Sequence, residues 1–569
     1  MRTFKPNTSK DMDNYVIAEN FSLLAKLMDI HGDNSFKAKS YASAAFTIDK
    51  LPTPLADLPA EKIFAIRGIG DTIGKKVVEQ IETGQLGLLT EYLEKTPPGI
   101  IEMLGIKGIG PKKIATIWKE LEIESLGELL YACNENRLTL YKGFGEKTQK
   151  NIKESIEFYF GTLGSYLYQQ MESYAVVADQ KLKENFASAQ FVFTGEYRRQ
   201  LEIINTLEWV TSASVTALKD FFTTNEFTVV TETADQLTVK GKENITMGFY
   251  CVEPSCLYRK LFQTSCSEDF LQAWNTVTGW NADTNYTSEE AIFESASLSF
   301  IPPFQREKAS VLSLVKAGKL AKAIQPTDIA GIIHSHSNWS DGVNTLEQMS
   351  VAAKERGLQY LVISDHSKTA FYANGLSEER IMAQHKQVEE LNLKYAPFKI
   401  FKSIESDILN DGSLDYSKEV LASFDLVIAS VHSNLKMTEE KAMMRLLNAI
   451  ENPFTSILGH MTGRLLLSRN GYPVDHKRII DACAANDVVV ELNAHPRRLD
   501  IDWRWIDYAL EKNVLISIDP DAHAVDGYDD CRYGVLVAQK AGLTKEQNLS
   551  SFSLEAFEKF IQKQQAKRP

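Results

Sequence analysis

The spacing of apolar residues divides the chain into three stretches of different character. Residues 14–160 carry apolar side chains at intervals of three and four, as in NYVIAENFSLLAKLMDI, which predicts a series of helices. Residues 161–325 contain Thr-, Phe- and Val-rich runs such as AQFVFTGEY and FTVVTETA, which predict strands in a mixed α/β region. From 326 onward, short β-type runs alternate with helical stretches. We therefore expect domains at 1–160, 161–325 and 326–569.

The third stretch contains seven strand candidates, which are GIIHSHS, YLVISDHS, FKIFKSIESDI, DLVIASVHS, TSILGHMTG, VVVELNAHP and VLISIDPDAH. Parallel strands need long crossover connections, and the helical stretches between these runs would supply them. The alternation therefore predicts parallel βα units that close into a barrel.

Each of these strand candidates ends in potential site residues, most of them histidine or carboxylate. In a βα barrel the C-terminal ends of the strands converge on one mouth, so these side chains are expected to be neighbours. Any single histidine among them could equally be an ordinary core or surface residue. Burying all of them together would be costly unless cations neutralised them. Imidazole and carboxylate without thiolate favour Zn²⁺, Mn²⁺ or Fe over Ca²⁺. The pattern predicts two or three divalent ions, with Mn²⁺ or Zn²⁺ favoured.

Charge, cysteine content and hydropathy restrict the remaining possibilities. The formal net charge of −13 gives no overall attraction to nucleic acid or to an anionic membrane, so any DNA contact must be local. The six cysteines form no CxxC pair, which argues against a disulfide scaffold and a thiolate zinc knuckle. Since no run of about 18 apolar residues occurs, we expect no membrane partner and a cytoplasmic location.

A glycine-containing unit recurs three times in the helical stretch, as AIRGIGDTIGKKVVEQI, LGIKGIGPKKIATIWKEL and YKGFGEKTQKNIKESI. These units resemble helix-hairpin-helix modules, in which a tight turn presents backbone N–H groups to a DNA phosphate. One such turn alone could join any two helices. The resemblance implies DNA binding through Gly68, Gly70, Lys75, Lys76, Gly108, Gly110, Lys112, Gly143 and Gly145. Contacts of this type read the DNA backbone and not the bases.

The motifs HSHSNWSDG, SDHS, IESDI, SVHS, GHMTGR and DPDAH resemble those of the polymerase-and-histidinol-phosphatase (PHP) domain, over residues 328 to about 545. The resemblance implies a distorted seven-stranded barrel with a trinuclear metal site. The implied metal ligands are His334, His336, Asp341, His366, Glu405, His432, His460, Asp521 and His523. We assign catalytic roles to Asp365, Arg464 and Arg498, with the arginines clamping phosphate oxygens. Either arginine could instead belong to a surface ion pair.

The order of the three parts resembles that of the bacterial family X DNA polymerases, PolX. The segments IAENFSLLAKLMDIHGDNSFKAKSYASAA and SFIPPFQRE resemble their lyase-like N-terminal domain and the end of their thumb. The resemblance implies an all-α helix-hairpin-helix N-terminal region, an α/β polymerase-beta-like nucleotidyltransferase middle and a C-terminal distorted (β/α)7 PHP barrel. Lys76 lies near the position of a Schiff-base lysine in such relatives, although a solvated helix lysine is the simpler interpretation.

The middle region departs from the polymerase pattern of Gly-Ser-x-Arg-Arg-Gly followed by Asp-x-Asp. Here the sequence is GEYRRQLEIINTLEWV, which puts Thr206 and Glu208 at the first two aspartate positions and Glu196 at the serine. Gly248 aligns with the third aspartate. Because nucleotidyl transfer needs clustered carboxylates for two Mg²⁺ ions, we expect that Mg²⁺ is not held and that synthesis is lost. The alternative is that Glu202 or Asp220 substitutes for the missing carboxylates.

The leading hypothesis is a DNA-repair phosphodiesterase that removes nucleotides in the 3′ to 5′ direction, with gapped, nicked or 3′-end DNA as partner. One alternative is an active gap-filling polymerase with a proofreading PHP domain. Another is a DNA-binding scaffold whose metals only stabilise the fold. A small-molecule phosphatase is the last alternative, although it would leave the hairpin modules unexplained.

Overall fold

The computed structural model describes residues 14–49, 51, 53–161, 164–241 and 244–569. These residues form two compact units. The first comprises the described residues up to Cys133 and Tyr141–Ile156, and the second comprises Asn134–Leu140 and Glu157–Pro569. Within the described ranges, no helix combines the length and the apolar composition needed to cross a bilayer.

Helices make up the first unit, as the apolar spacing predicts. They are α1 (Asn14–His31), α2 (Ser35–Asp49), α3 (Ala60–Phe64), α4 (Asp71–Thr83), α5 (Gly87–Lys95), α6 (Pro98–Met103), α7 (Pro111–Lys119), α8 (Leu126–Asn134) and α9 (Glu146–Gly161), the last of which continues into the second unit. The helices α4, α7 and α9 each begin directly after the second glycine of a repeated unit. Their apolar faces, such as Ile114 and Ile117 of α7, are buried, while the turns remain at the surface.

A mixed α/β layer begins the second unit. Its elements are β1 (Tyr166–Leu167), α10 (Tyr168–Asn185), β2 (Phe191–Thr194), α11 (Gly195–Arg198), β3 (Ile203–Ile204), β4 (Thr206–Thr211), α12 (Val215–Thr224), β5 (Thr228–Glu232), β6 (Gln236–Lys240), β7 (Thr246–Cys251), α13 (Leu257–Thr264), α14 (Glu268–Thr278), α15 (Glu289–Ser295) and α16 (Ser310–Lys316). The main sheet has the order β2-β4-β7-β6-β5. Its β4 and β7 are parallel, with Glu208 opposite Gly248.

A seven-stranded barrel forms the rest of the second unit. Its elements are β8 (Gly331–Ile332), α17 (Leu346–Glu355), β9 (Tyr360–Ile363), α18 (Glu378–Tyr395), β10 (Lys399–Asp407), α19 (Lys418–Leu421), β11 (Leu426–Ser430), α20 (Glu439–Ile450), β12 (Ile457–Leu458), α21 (His476–Ala485), β13 (Val489–Asn493), α22 (Ile506–Glu511), β14 (Ile516–Asp519), α23 (Cys531–Lys540) and α24 (Leu554–Ala566). Neighbours in sequence are neighbours in the sheet, and every pair is parallel. All seven predicted strands are confirmed.

The barrel is nearly closed, and its closure lies at the C-terminal ends of the first and last strands. Ser335 and Ala522 form a parallel bridge, and the backbone N–H of His336 donates to the carbonyl of Ala522 at 2.8 Å. Apart from Lys399 and Lys402 of β10, the strands are buried, as in β11, where all five residues are inaccessible to solvent. Burial on both faces is the reason that these strands read as continuous apolar runs in the sequence.

Candidate functional site

The predicted ligands of the barrel converge at the mouth where the strands end. Three groups of them have ligand atoms that lie within 4.8 Å of one another: His336 with Asp341, His366 and His523; His334 with His336 and Asp521; and His366 with Glu405 and His432. The ninth predicted ligand, His460, has its Nε2 3.0 Å from Oε1 of Glu405. The structure therefore brings all nine residues into one continuous cluster.

Glu405 lies at the centre of this cluster. Its carboxylate oxygens are 2.9 Å from Nδ1 of His366 and 3.0 Å from Nε2 of His432, and the side chain is fully buried. Burial disfavours the ionised form, but the positive fields of His432, His334 and His366 outweigh it and hold the pKa of Glu405 well below its usual range. A carboxylate shared among several imidazoles in this way is suited to bridge cations.

Two of the ligands have an unusual backbone conformation. His334 and Asp521 have φ angles of 59° and 51°, in the left-handed region that is unfavourable for residues with a Cβ. Both follow the short strands that close the barrel, β8 and β14. Such strain costs about 1–3 kcal/mol and persists where the surrounding structure imposes it, most often at functional sites.

The chemistry of the donor set fits divalent cations. His334 Nε2, His366 Nε2 and His523 Nε2 are buried and complete no hydrogen bond with any residue that the structure describes. Burial lowers the pKa of His336 and of His460 to about 3, and nearby positive groups add to the effect. Both imidazoles are therefore neutral at physiological pH, which is the form that binds metal. The cluster could hold metal ions of the type that nitrogen and oxygen ligands select.

Carboxylates behind the predicted ligands orient two of the histidine rings and the backbone of a third histidine. Asp407 Oδ1 lies 2.5 Å from Nδ1 of His432, while Glu491 contacts Nδ1 of His334 and accepts a 2.5 Å hydrogen bond from the backbone N–H of His460. Such partners fix the tautomer of a ligand histidine and increase its basicity. Sequence reasoning missed both carboxylates. Strand alternation could have found Asp407, because it lies two residues after Glu405 and thus on the same face of β10.

Asp365, predicted to be catalytic, holds the loop that carries two of the ligands. Its carboxylate accepts hydrogen bonds of 2.8 Å from the backbone N–H of Ser337, 3.2 Å from that of Ser340 and 2.6 Å from the amide of Gln384. The Ser337–Ser340 loop lies between His336 and Asp341 in the chain. The contacts of Asp365 therefore support the predicted metal ligands from behind.

The two predicted arginines differ in their contacts. Arg498 is buried, with its Nε 3.7 Å from Oδ2 of Asp521. Arg464 pairs with Asp502 at 2.5 Å and donates to the carbonyl of Arg498 at 3.0 Å. Arg498 thus lies beside a predicted ligand, whereas Arg464 fixes the backbone of the segment that carries Arg498.

Two further charged residues at the cluster lie far upstream in the sequence, and sequence reasoning did not identify them. Glu135 forms a group with Asp521 and His523, and Arg137 lies 3.5 Å from Asp341. Both belong to the short Asn134–Leu140 segment, which the structure assigns to the same unit as the barrel. No strand pattern or metal-binding motif in the sequence marks this segment.

In the middle region, the residues at the polymerase positions are engaged in internal contacts. Glu208 accepts a 2.9 Å hydrogen bond from the hydroxyl of Tyr250, and burial raises its pKa. Glu196 accepts from the backbone N–H of Asn205 at 2.7 Å. Among the described residues, no group of three metal-ligating side chains forms in this sheet. The possible substitutes do not change this, since Glu202 pairs with Arg504 at 3.4 Å and Asp220 is exposed on α12.

The two arginines of the GEYRRQ segment are also engaged within the protein. Arg198 pairs with Glu289 at 2.6 Å, and Arg199 pairs with Glu307 at 2.8 Å. Glu289 also contacts Arg306, which is fully buried. This network joins the sheet to the helices that follow it.

The three hairpin turns of the first unit share one conformation. Gly68, Gly108 and Gly143 have φ angles of 97°, 92° and 95°. The second glycines, Gly70 and Gly110, have φ angles of −76° and −95° and precede α4 and α7, and Gly145 precedes α9 in the same way. A Cβ at any of these second glycines would meet no atom within 4 Å. Neither strain nor internal packing therefore explains why they are glycine.

The predicted lysines of the hairpins lie on the helices that follow the turns. Lys75 and Lys112 are exposed. Lys76 is half-buried and pairs with Glu79 at 2.5 Å. The two exposed ammonium groups remain accessible to an anion from solvent.

Family models match three parts of the chain. A helix-hairpin-helix domain matches residues 12–86, a SAM-like helix-hairpin-helix tandem matches residues 100–157, and a PHP domain matches residues 333–495. The glycine turns lie in the first two regions, and most of the metal-ligand candidates lie in the third. The hairpin and barrel resemblances inferred from the sequence are thus confirmed.

Curated relatives fall into two kinds. The DNA polymerase/3′-5′ exonuclease PolX of Bacillus subtilis (strain 168) is 29% identical over 95% of this chain and 98% of its own length. A probable phosphatase of Caldanaerobacter subterraneus subsp. tengcongensis is 28% identical over 28% of this chain and 60% of its own length. Another, from Thermoanaerobacter sp. (strain X514), is 25% identical over 37% of this chain and 86% of its own length. Over nearly its whole length, therefore, this chain is a homologue of PolX with helix-hairpin-helix regions and a PHP domain.

Proposed function

We propose that this protein hydrolyses phosphodiester bonds at the 3′ end of DNA, at the metal centre of its PHP barrel. The observation that carries the proposal is the convergence of nine histidine and carboxylate side chains at one barrel mouth. The cluster around Glu405 is completed by two residue pairs: His334 and His336, which follow β8, and Asp521 and His523, which follow β14. The gapped, nicked or frayed 3′ ends of DNA under repair are the substrates that we favour.

The nine residues would hold two or three ions, with Mn²⁺ or Zn²⁺ favoured by the mixed imidazole and carboxylate donors. Bound divalent ions would supply Lewis-acid activation of water and neutralise charge on the phosphoryl group. Arg498, beside Asp521, would contact a phosphate oxygen, and Arg464 would position Arg498 through its backbone carbonyl. Asp365 would hold the loop between His336 and Asp341 in place.

DNA is the substrate that the hairpin regions favour. Their second glycines leave open space at the start of a helix, where backbone N–H groups and the helix dipole attract a phosphate. Close approach of a DNA backbone would explain why no Cβ is present at Gly70 and Gly110. The Bacillus subtilis relative is named as a 3′-5′ exonuclease as well as a DNA polymerase, which agrees with this choice of substrate and direction.

The proposal includes the loss of templated synthesis. Two Mg²⁺ ions would need several carboxylates on β4 and β7, where Glu208 faces Gly248. Glu208 is hydrogen-bonded to Tyr250, and Glu196 is bonded to the backbone of Asn205. Neither the hydrogen-bonded Glu208 nor the hydrogen-bonded Glu196 is placed to bind Mg²⁺ together with a triphosphate. The negative charge of Glu196 would also repel the triphosphate.

The decisive experiment is digestion of an oligonucleotide that has a free 3′ end and a label at its 5′ end, with added Mn²⁺. We expect His334→Ala and Asp521→Ala to abolish digestion while the protein remains folded. The matched control is His476→Ala. His476 is the first residue of α21 and stacks on Trp505, outside the cluster. Undiminished digestion by both cluster variants would refute the proposed function.

A second experiment separates the competing functions. Gapped DNA is incubated with and without nucleotides, and hydrolysis of a phosphomonoester is measured in parallel. Our proposal predicts shortening of the primer in both cases and slow phosphomonoester hydrolysis. Extension of the primer that is abolished by Glu208→Ala would identify an active polymerase. Hydrolysis of the phosphomonoester alone would identify a small-molecule phosphatase.

A further inference from the structure

A short segment outside the barrel supplies two charged side chains to the mouth of the metal centre. Asn134–Leu140 lies between two stretches of the first unit in the sequence, yet it belongs to the second unit. It begins with the last residue of α8 and contains a single 3₁₀ turn, Arg137–Leu140. The segment also lies outside residues 333–495, which the PHP family model matches.

The contacts of this segment fix one guanidinium group beside a predicted metal ligand. Arg137 Nη2 lies 2.7 Å from Oε2 of Glu135, and Arg137 Nε lies 3.5 Å from Oδ2 of Asp341. The guanidinium also lies over the ring of Tyr372, 5.1 Å from its centroid. The side chain of Glu135 is 3% exposed and that of Arg137 is 16% exposed. Arg137 is therefore held on two sides by acidic groups, and part of it reaches the solvent.

A structural ion pair alone explains this arrangement poorly. Burying two charges costs several kcal/mol per ion, and their attraction often fails to offset that cost. An arginine at a catalytic phosphate, in contrast, is a common use of the planar guanidinium, which matches phosphate oxygens with two parallel hydrogen bonds. The carboxylates of the cluster would be neutralised by cations, so Arg137 is not needed for that purpose.

We propose that Arg137 binds a non-bridging oxygen of the substrate phosphate and that Glu135 is a positioning residue that holds its guanidinium. The inference rests on the proposed function, since it assigns Arg137 to the phosphodiester that this centre would cleave. It follows that the barrel is not complete by itself. A substrate contact comes from a segment that the chain supplies before the barrel begins.

The test combines phosphate binding with kinetics on the full chain. Binding of inorganic phosphate to the Mn²⁺-loaded protein is measured by calorimetry, and the bound metal is counted by mass spectrometry. We expect Arg137→Ala to weaken phosphate binding by about tenfold or more, as for loss of a charged hydrogen bond, with unchanged metal content. Arg137→Lys should recover part of the affinity, because it keeps the charge but not the bidentate geometry.

The value of KM distinguishes a role of Arg137 in substrate binding from a purely structural role. On a labelled oligonucleotide, Arg137→Ala should raise KM by about tenfold, in proportion to the lost phosphate affinity. Glu135→Gln should have a smaller effect in the same direction, since the amide still accepts a hydrogen bond. Arg478→Ala, a change of an exposed arginine on α21, is the matched control.

Three results would overturn the inference. Unchanged phosphate binding in Arg137→Ala and Arg137→Lys would show that Arg137 does not contact phosphate. A loss of bound metal in Glu135→Gln would make Glu135 a metal ligand. Faster hydrolysis in Arg137→Ala would mean that the segment obstructs the site. Phosphate binding is measured without DNA. If the protein binds phosphate through Arg137 but cuts no DNA, the proposed function is refuted while the phosphate contact of Arg137 stands.

Discussion

His432 Nδ1 lies 2.5 Å from Oδ1 of Asp407, so this predicted ligand is oriented by a carboxylate two residues beyond the central Glu405 on the same strand. The opposite nitrogen of the ring, Nε2, lies 3.0 Å from Glu405. The contact with Asp407 therefore determines which nitrogen of His432 is directed into the cluster.

Asp407→Asn is expected to weaken metal binding by about ten- to hundredfold, because the neutral amide holds His432 less firmly and no longer increases the basicity of its ring. Mn²⁺ titration followed by calorimetry measures the change. Asp411→Asn, in the exposed loop after β10, is the control. Equal affinities for the two variants would contradict the orienting role of Asp407.

Asp365→Asn is expected to destabilise the protein and to lower its metal content. The amide keeps one acceptor oxygen, whereas five donors face the native carboxylate, namely the backbone N–H and hydroxyl groups of Ser337 and Ser340 and the amide of Gln384. Buried donors left without acceptors cost about 1–3 kcal/mol each. Thermal unfolding with and without Mn²⁺ is the measurement, and Asp481→Asn on the surface is the comparison. A normal melting temperature with full metal content would argue against the supporting role of Asp365.

Gly110→Ala is expected to leave stability unchanged within about 0.5 kcal/mol, because φ is −95° and the added Cβ meets no atom within 4 Å. DNA affinity should fall by about tenfold, equivalent to one lost hydrogen bond to a charged group. Fluorescence anisotropy with a labelled duplex measures the affinity, and Thr90→Ala on the exposed face of α5 is the control. An unchanged affinity would exclude a phosphate contact at this turn.

Glu289→Gln is expected to lower the free energy of unfolding by about 3 kcal/mol, because it removes the charge that compensates the fully buried Arg306. Its sequence neighbour provides the control, since Glu290 is exposed on the same turn of α15 and Glu290→Gln should change stability by less than about 0.5 kcal/mol. Chemical denaturation of both variants measures the difference. Similar stabilities would show that Glu289 does not support the network.

Asp530 makes stability depend on pH. Burial, with a contribution from Asp529, raises its pKa to about 7, so between roughly pH 4 and pH 7 the unfolded carboxyl is ionised while the folded one keeps its proton. The free energy of unfolding therefore falls as the pH rises through this interval. Asp530→Asn removes the carboxyl group that causes this fall. As the pH rises through the interval, the free energy of unfolding of the variant should therefore increase relative to that of the native protein, by at most about 1.4 kcal/mol per pH unit.

Denaturation at several pH values measures the gain of Asp530→Asn, which should level off above pH 7. The exposed Asp526 provides a matched substitution, Asp526→Asn, for which no such trend is expected. A stability difference that does not vary with pH would contradict a raised pKa for Asp530.

Much of the barrel could be predicted from the sequence because parallel strands are buried on both faces and their ends converge. The seven apolar runs are clear in the sequence, and the histidines and carboxylates follow them directly. Strand alternation would also have identified Glu491, which lies on β13 two residues before Asn493, whose amide donates to Asp521 at 3.0 Å. The strand positions are confirmed, while the roles of the nine ligands remain a prediction.

Other features depend on contacts that no periodicity specifies. Glu135 and Arg137 reach the cluster from a segment without strand or motif character, which only the tertiary fold brings near Asp341. Arg464 and Arg498 looked equivalent in the sequence, yet one pairs with Asp502 and the other approaches Asp521. Long-range pairing of this kind is set by packing and not by local sequence.

The bridge between Ser335 and Ala522 also constrains how the protein matures. Four of the predicted ligands flank this seam, two on each side, and His336 and Asp521 across it are 185 residues apart in the chain. A nascent chain that still lacks its final strand has no complete donor set for ions. We therefore expect the predicted ligand cluster to form only when the first and last strands of the barrel have come together.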